Sequence, residues 1–203
     1  MNLQRSSGAL LHITSLPGKY GIGTLGPEAA AFAERLRDAG MRYWQILPIG
    51  PVDAKLDYSP YASISAFAGN WHFISLEKLA EEKWFSTAPG PFPLPEGHAV
   101  PFEEAVAFKL PLLAKACDDF FAGASGEEIR SYEKFLESEG YWLDDYALFS
   151  AVAEETETTD WLEWDNDLSM RKPEALRRWR DLLKDRIRYH SFIQFLFFKQ
   201  WAD

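Results

Sequence analysis

The sequence predicts an α/β fold that opens on a parallel strand–helix–strand unit and continues as a mainly helical chain. Three observations predict it. Gly8 to Ile13 is a short continuous apolar run, the pattern of a fully buried parallel strand. Residues 26 to 40 then carry an amphipathic helical pattern, and Arg42 to Leu47 reads as a second strand closed by Pro48 and Pro51. Two strands joined through a helix are expected to lie parallel, because a parallel pair needs a long crossover.

The elements follow in order. After the first strand, Thr14-Ser15-Leu16-Pro17-Gly18 reads as a loop. Pro27 suits the first position of a helix and Gly40 suits its end. Between them Ala29, Phe32, Ala33 and Leu36 form one apolar stripe, with Glu34, Arg35, Arg37 and Asp38 facing away. Pro51 to Asn70 is expected to be a long loop, and a loop of that length in a compact fold is usually functional. Trp71 to Leu76 reads as a brief extended or helical segment. Prolines 89, 91, 93, 95 and 101 mark a linker or wrapping segment.

Beyond residue 101 the pattern turns helical. Phe102 to Phe121 is periodic, with Pro111 expected to break or kink it. Glu127 to Ser138 and Tyr141 to Ala151 read as two helices separated at Gly140. Glu154 to Asp167 is acidic and aromatic, as a surface loop would be, and Pro173 to Lys184 reads as a helix opened by proline. Ile187 to Trp201 is apolar almost all round, which calls for burial on every side. No internal repeat is visible.

Composition excludes several functions. The 203 residues are enough for one ordinary domain with a core, and 47% apolar with 26% charged residues is a globular balance. A net charge of −10 leaves no basic stripe for phosphates, so nucleic acid is not an expected partner, nor is an anionic membrane surface. A single cysteine, Cys117, excludes an internal disulfide and a thiolate metal cluster, and its apolar surroundings predict a buried thiol. Met1 to Arg5 lacks a signal-peptide core and no run is long enough to span a membrane, so the reading is cytoplasmic. Histidines 12, 72, 98 and 190 are scattered without ligand spacing. Aromatic residues reach 15%; they serve core packing first, and they also form platforms for sugar rings.

Chemistry is concentrated where ligands sit in parallel α/β folds, beyond the carboxyl ends of strands. The glycines at 18, 21, 23 and 26 match neither a P-loop nor the dinucleotide fingerprint, so they read as tight backbone turns. Asp57-Tyr58-Ser59-Pro60-Tyr61 places a carboxylate and hydroxyls beside aromatic rings. That suits a polyhydroxylated ligand, and it equally suits an ordinary turn. Trp161-Leu162-Glu163-Trp164-Asp165-Asn166-Asp167 can be read as a carbohydrate platform or as a helix-capping surface loop, with the structural reading favoured. No nucleophile elbow and no Cys/His pairing is present.

Taken together, several segments resemble the amylomaltase family of 4-α-glucanotransferases. They are Arg5 with Gly8-Ala9-Leu10-Leu11-His12, Ser15-Leu16-Pro17-Gly18, Tyr20-Gly21-Ile22-Gly23, Leu25-Gly26, Trp44-Gln45-Ile46-Leu47-Pro48, Gly50-Pro51, Ser59-Pro60-Tyr61 and Ser65 to Asn70. The resemblance continues more thinly through Lys109 with Pro111-Leu112-Leu113, Trp142-Leu143 with Asp145 to Phe149, and Gln194, Phe197 and Gln200-Trp201. It implies the N-terminal part of a (β/α)8 TIM-type barrel, its first strands interrupted by a mainly helical insertion and the barrel incomplete in this chain. On that basis residues 1–80 would hold the first strand–helix–strand part with its substrate-side loop, 81–185 the helical insertion and 186–203 a buried, truncated barrel helix.

The resemblance also implies a retaining transfer of α-1,4-glucan segments between maltooligosaccharides or starch chains. One carboxylate attacks the anomeric carbon, a second acts as acid and then base, and an acceptor sugar replaces water. A third carboxylate steadies the distorted sugar. All three belong to later barrel strands, so no catalytic residue is expected here and the chain alone is expected to be inactive and marginally soluble. Ser59 and Tyr61 match the loop that borders the sugar subsites, with Asp57 as a third candidate contact. The chain departs from the family in two places: Tyr58 separates the acid from Ser-Pro-Tyr, and Trp71-His72 follows Asn70 in place of proline and a small apolar residue. No metal or organic cofactor is implied, and the rest of the barrel is the expected partner in the full-length protein. Two rivals remain at this stage: a non-catalytic glucan-binding module, and a helical interaction protein using Ile187 to Trp201.

Overall fold

The computed structural model describes residues 5–85, 89, 90, 92 and 100–203. The segment containing prolines 91, 93 and 95 and His98, and the first four residues, lie outside the described residues. The chain forms two compact units, residues 1–123 with 196–203, and residues 124–195.

In the first unit, strand β1 (Gly8–Leu10) pairs in parallel with β2 (Tyr43–Gln45), in the register Gly8 to Tyr43, Ala9 to Trp44 and Leu10 to Gln45. Gly8 is required by this pairing, since a Cβ there would meet the Tyr43 backbone oxygen at 2.5 Å. Helix α1 (Pro27–Asp38) makes the crossover, with proline in its first turn and Gly40 just beyond its end at φ 72°. Its Phe32 ring meets Trp44 edge-on at 4.9 Å, and the Trp44 indole donates to the Leu11 carbonyl at 2.7 Å.

The strands are shorter than expected and are not fully buried. Leu10 is 60% and Tyr43 54% exposed. With three residues in each strand and, among the described residues, only two strands in the sheet, no further ladder covers these side chains. The core of the unit lies beyond the strand ends, around Ile13, Ile22, Phe73, Ile74, Leu76, Leu79, Leu113, Phe120 and Phe197.

Helix α2 (Leu76–Glu81) follows a single turn of 3-10 helix over Trp71–Phe73, and its first turn is capped by the Ser75 hydroxyl, which accepts from the Lys78 N–H at 3.2 Å. Helix α3 runs unbroken from Phe102 to Gly123, so Pro111 does not end it. Pro111 is exposed and so is Ala107, whose carbonyl loses its donor. Water can satisfy that oxygen, while Ala105, Lys109, Leu113, Ala116, Cys117 and Phe120 bury the opposite face. Cys117 is a buried free thiol, as its setting predicts.

The second unit is built on α4 (Gly126–Thr156), a single helix of 31 residues where the sequence suggests two. Ser125 and Glu128 form a reciprocal capping box at its start. Gly140 lies inside the helix, and burial of Trp142, Leu143, Ala147 and Leu148 just beyond it outweighs the roughly 1 kcal/mol propensity cost of one glycine. The expected surface loop over 154–167 is partly helical: α4 continues to Thr156, a 3-10 turn covers Trp161–Glu163, and α5 (Asn166–Ser169) begins inside it. Asp160 and Asp165 explain the order, since each carboxylate accepts main-chain N–H groups at the start of the next turn. Helix α6 (Pro173–Leu182) opens on proline as predicted.

Leu148, Ala151 and Val152 of α4 pack with Leu168, Ala175 and Leu183 to form this unit's core. Helix α7 (Lys184–Ala202) belongs to the second unit as far as Phe195 and to the first from Leu196. It is buried from Ser191 to Phe197, yet Lys184 to Arg186 and Trp201 are exposed, so burial on every side holds for its middle only.

Candidate functional site

The loop from Pro51 to Asn70 is a closed excursion held by its own main chain. At its base the Asn70 N–H donates to the Ile49 carbonyl at 2.8 Å. The Asp53 carboxylate accepts from the Lys55 N–H at 2.8 Å, starting a turn of 3-10 helix over Ala54–Leu56. The chain then reverses through two successive left-handed residues, Asp57 at φ 51° and Tyr58 at φ 53°. A non-glycine residue in that region costs about 1–2 kcal/mol, somewhat less for aspartate.

Contacts of Tyr58 offset that cost. Its ring stacks on Phe102 with centroids 4.8 Å apart and meets His72 edge-on at 5.8 Å. Anchored there, the loop presents Ser59, Pro60 and Tyr61 in a turn closed by the Ala62 N–H donating to the Ser59 carbonyl at 3.1 Å. The Ser59 hydroxyl accepts from the Tyr61 N–H at 3.4 Å, and Tyr61 itself is 75% exposed. Further along, the Ser65 hydroxyl accepts from the Phe67 and Ala68 N–H groups at 3.2 and 3.0 Å. Asp57 and Tyr61 are therefore exposed on one short turn with Ser59 half-buried between them, and none of the three lines the cavity beside Leu25 and Gln200 or the one beside Phe149 and Trp164.

Beneath the loop sits a buried polar pair that sequence reasoning did not assign to the site. The Lys109 ammonium donates to the His72 carbonyl at 2.6 Å. Burial lowers the Lys109 pKa to about 7, with the nearby Glu77 carboxylate pulling the other way. His72 is held down to about 3, first by burial and then by the charge of Lys109. The Asn70 side chain accepts from the His72 N–H at 3.0 Å, so the segment that closes the loop is fixed from two sides. A lone lysine at a buried position of an otherwise apolar helical face was the available signal, but nothing local names its partner 37 residues away.

His12, at the carboxyl end of β1, packs edge-on against Phe73 at 5.4 Å, and burial lowers its pKa. Among the described residues no three His, Cys, Asp or Glu side chains are grouped as a metal site would need. No helix is long and apolar enough to cross a membrane among the described residues. In the second unit, Asp160 and Asp165 act as helix caps, which is the structural reading of the Trp161–Asp167 segment. Trp164 is half-buried, its indole donating to the Thr158 carbonyl at 3.1 Å.

A parallel strand–helix–strand opening followed by helices, with an exposed aromatic and hydroxyl loop beyond the second strand, places the chain in the α/β class. Residues 11–203 match the 4-alpha-glucanotransferase family of glycoside hydrolases, and the chain belongs to that family. The 4-alpha-glucanotransferase of Aquifex aeolicus is 44% identical over 198 residues, covering 97% of this chain and 39% of the relative. That of Thermus thermophilus is 43% identical over 202 residues, covering 100% of this chain and 39% of the relative. The amylomaltase from Streptococcus agalactiae, solved in complex with acarbose, superposes with a TM-score of 0.81 at 35% identity, over 98% of this chain and 40% of that one. The chain thus spans about 40% of the length of the relatives it matches.

Proposed function

We propose that this chain supplies the opening part of a 4-α-glucanotransferase that moves α-1,4-glucan segments between maltooligosaccharides with retention of configuration. In this reading β1 and β2 are the first two strands of a (β/α)8 barrel, and the loop of Asp57, Ser59 and Tyr61 borders the glucan. The observation that carries it is the family match over residues 11–203, joined to an exposed tyrosine on a loop pinned from below. The relative solved with acarbose is consistent with an oligosaccharide ligand.

Each residue has a defined task. Tyr61 offers a flat ring for the apolar face of a pyranose. The Ser59 hydroxyl, engaged with only one main-chain N–H, keeps capacity to donate to a sugar oxygen. Asp57 adds an acceptor for sugar hydroxyls, and no catalytic role is given to it. Nucleophile, acid/base and stabilising carboxylates lie in the remaining barrel, so this chain binds and positions but does not cleave.

The test uses maltotriose and the 203-residue chain. Incubation should yield no longer or shorter oligosaccharides by chromatography, and disproportionation by the chain alone would overturn the division of labour. In an enzyme that carries this chain with a complete barrel, Tyr61→Ala should raise KM for maltotriose about tenfold with the fold intact. An unchanged KM would remove the loop from the substrate path.

A further inference from the structure

The second unit holds a cavity of about 270 Å³ to which the proposed reaction assigns no role. Its floor is the core residue Leu168, and its walls carry Phe149 and Trp164, whose rings lie 5.1 Å apart. Trp161 stands at the edge and is 51% exposed, although it is among the largest apolar side chains in the unit. Asp145 and Arg171 also line it, joined by two hydrogen bonds of 2.9 Å from a single guanidinium nitrogen, and the Arg180 guanidinium lies 3.7 Å from the same carboxylate. The volume lies near the lower end for small-ligand sites, which are mostly apolar with a few convergent polar groups.

We propose that this cavity is a second carbohydrate site that takes a terminal glucosyl unit of an α-glucan, separate from the loop of Tyr61. The argument is one of matched chemistry. A pyranose has an apolar C–H face, which an exposed indole covers, and a rim of hydroxyls that both donate and accept. The Asp145–Arg171 pair offers both capacities at once. Only one guanidinium nitrogen is engaged with Asp145, leaving other N–H donors for a hydroxyl, and the carboxylate retains acceptor capacity. The choice of glucan rests on the proposed function; the site itself rests on the cavity, the exposed indole and the ion pair.

Arg171 supplies an unusual control. It occupies the left-handed position after α5, at φ 54°. Its N–H donates to the Leu168 carbonyl at 2.8 Å and the Lys172 N–H to the Asp167 carbonyl at 2.9 Å, the bonding of a Schellman motif. Glycine is the residue that position favours, so Arg171→Gly removes the guanidinium while suiting the backbone.

Calorimetric titration of maltotriose into the 203-residue chain tests the proposal, with Trp161→Ala, Arg171→Gly and Tyr61→Ala compared with the parent. Two classes of site are expected. Trp161→Ala and Arg171→Gly should each weaken one class at least tenfold, and Tyr61→Ala should weaken the other. Parent-like binding in both Trp161→Ala and Arg171→Gly overturns the second site, even where Tyr61→Ala removes all remaining binding and so sustains the loop. Loss in the cavity variants with none in Tyr61→Ala keeps the second site and removes the loop. Absence of any maltotriose binding by the folded parent also overturns the second site. If Trp161→Ala fails to fold, Arg171→Gly alone decides.

Discussion

The Lys109 ammonium and the His72 carbonyl, 37 residues apart, meet at 2.6 Å beneath the loop that carries Ser59 and Tyr61. A buried ammonium is tolerable there because a main-chain oxygen receives it and Glu77 lies near enough to favour its charge. The bond also holds the segment that closes the loop.

This pair sets a pH dependence whose sign can be worked out. The folded pKa of Lys109 is about 7, against an ordinary lysine value of 10.5. Between those values the unfolded chain binds more protons than the folded one, so this lysine makes stability rise with pH across the window. Below about pH 7 both states are protonated and its contribution is flat, at its least favourable. Chemical denaturation from pH 7 to 10 should show an upward trend in the parent, with a slope of at most about 1.4 kcal/mol per pH unit from this group. Lys109→Met should lack that component, and equal slopes in the two proteins would refute the assignment.

His72 gives the complementary acid limb. Its folded pKa of about 3 lies below the ordinary histidine value of 6.5, so the unfolded chain binds the extra proton between them. Stability should therefore fall as pH drops from about 6.5 towards 3. His72→Gln, with the parent as reference, should flatten part of that limb in denaturation at pH 4 to 6. A parent-like limb in the variant would assign the acid sensitivity elsewhere.

Gly69 tests how the loop joins the core. The Phe197 ring of α7 fills the place a Cβ would take, so Gly69→Ala must displace a fully buried ring. Overpacking of this kind costs about 1–3 kcal/mol. The expected result is a lower unfolding midpoint in urea with an unchanged slope. Gly140→Ala is the opposite case. A Cβ there meets nothing within 4 Å and the residue is inside α4, so alanine should stabilise by roughly 0.5–1 kcal/mol. If it destabilises, α4 is not continuous at that point.

These two glycines also show what could be read from the sequence and what could not. Helix α1 was legible because its signals are local: Pro27 at the start, an apolar stripe, Gly40 at the end. The Pro51–Asn70 loop was legible for the same reason. Pro111 and Gly140 misled because local propensity is weak beside the burial of Leu113, Phe120, Trp142 and Leu143 around them, which no local pattern weighs. The exposure of Leu10 and Tyr43 depends on how many strands flank them, which is not a property of either segment. At the candidate site, the turn of Asp57, Ser59 and Tyr61 was found by residue type. Its support by Phe102, His72 and Lys109 required the chain to be folded.

Tyr58 is the residue that best joins the two levels. It stands between Asp57 and the Ser59-Pro60-Tyr61 segment, and it adopts φ 53°. That left-handed conformation is accommodated because the Tyr58 ring reaches Phe102, at 4.8 Å and 16° from parallel, and the loop is anchored by that stack. Such a ring pair contributes about 0.5–1.5 kcal/mol beyond buried area. Tyr58→Ala and Phe102→Leu should each destabilise the first unit. Their effects should not add: the double variant should be more stable than the sum predicts by about 1 kcal/mol, since each change removes the same contact. Strict additivity in urea denaturation would mean the stack does not hold the loop. In that case the left-handed turn at Asp57 and Tyr58 would have to be maintained by the His72 edge contact and by the hydrogen bonds around it, among them those from Lys55 and Tyr58 to the Asp53 carboxylate and carbonyl at 2.8 and 3.0 Å.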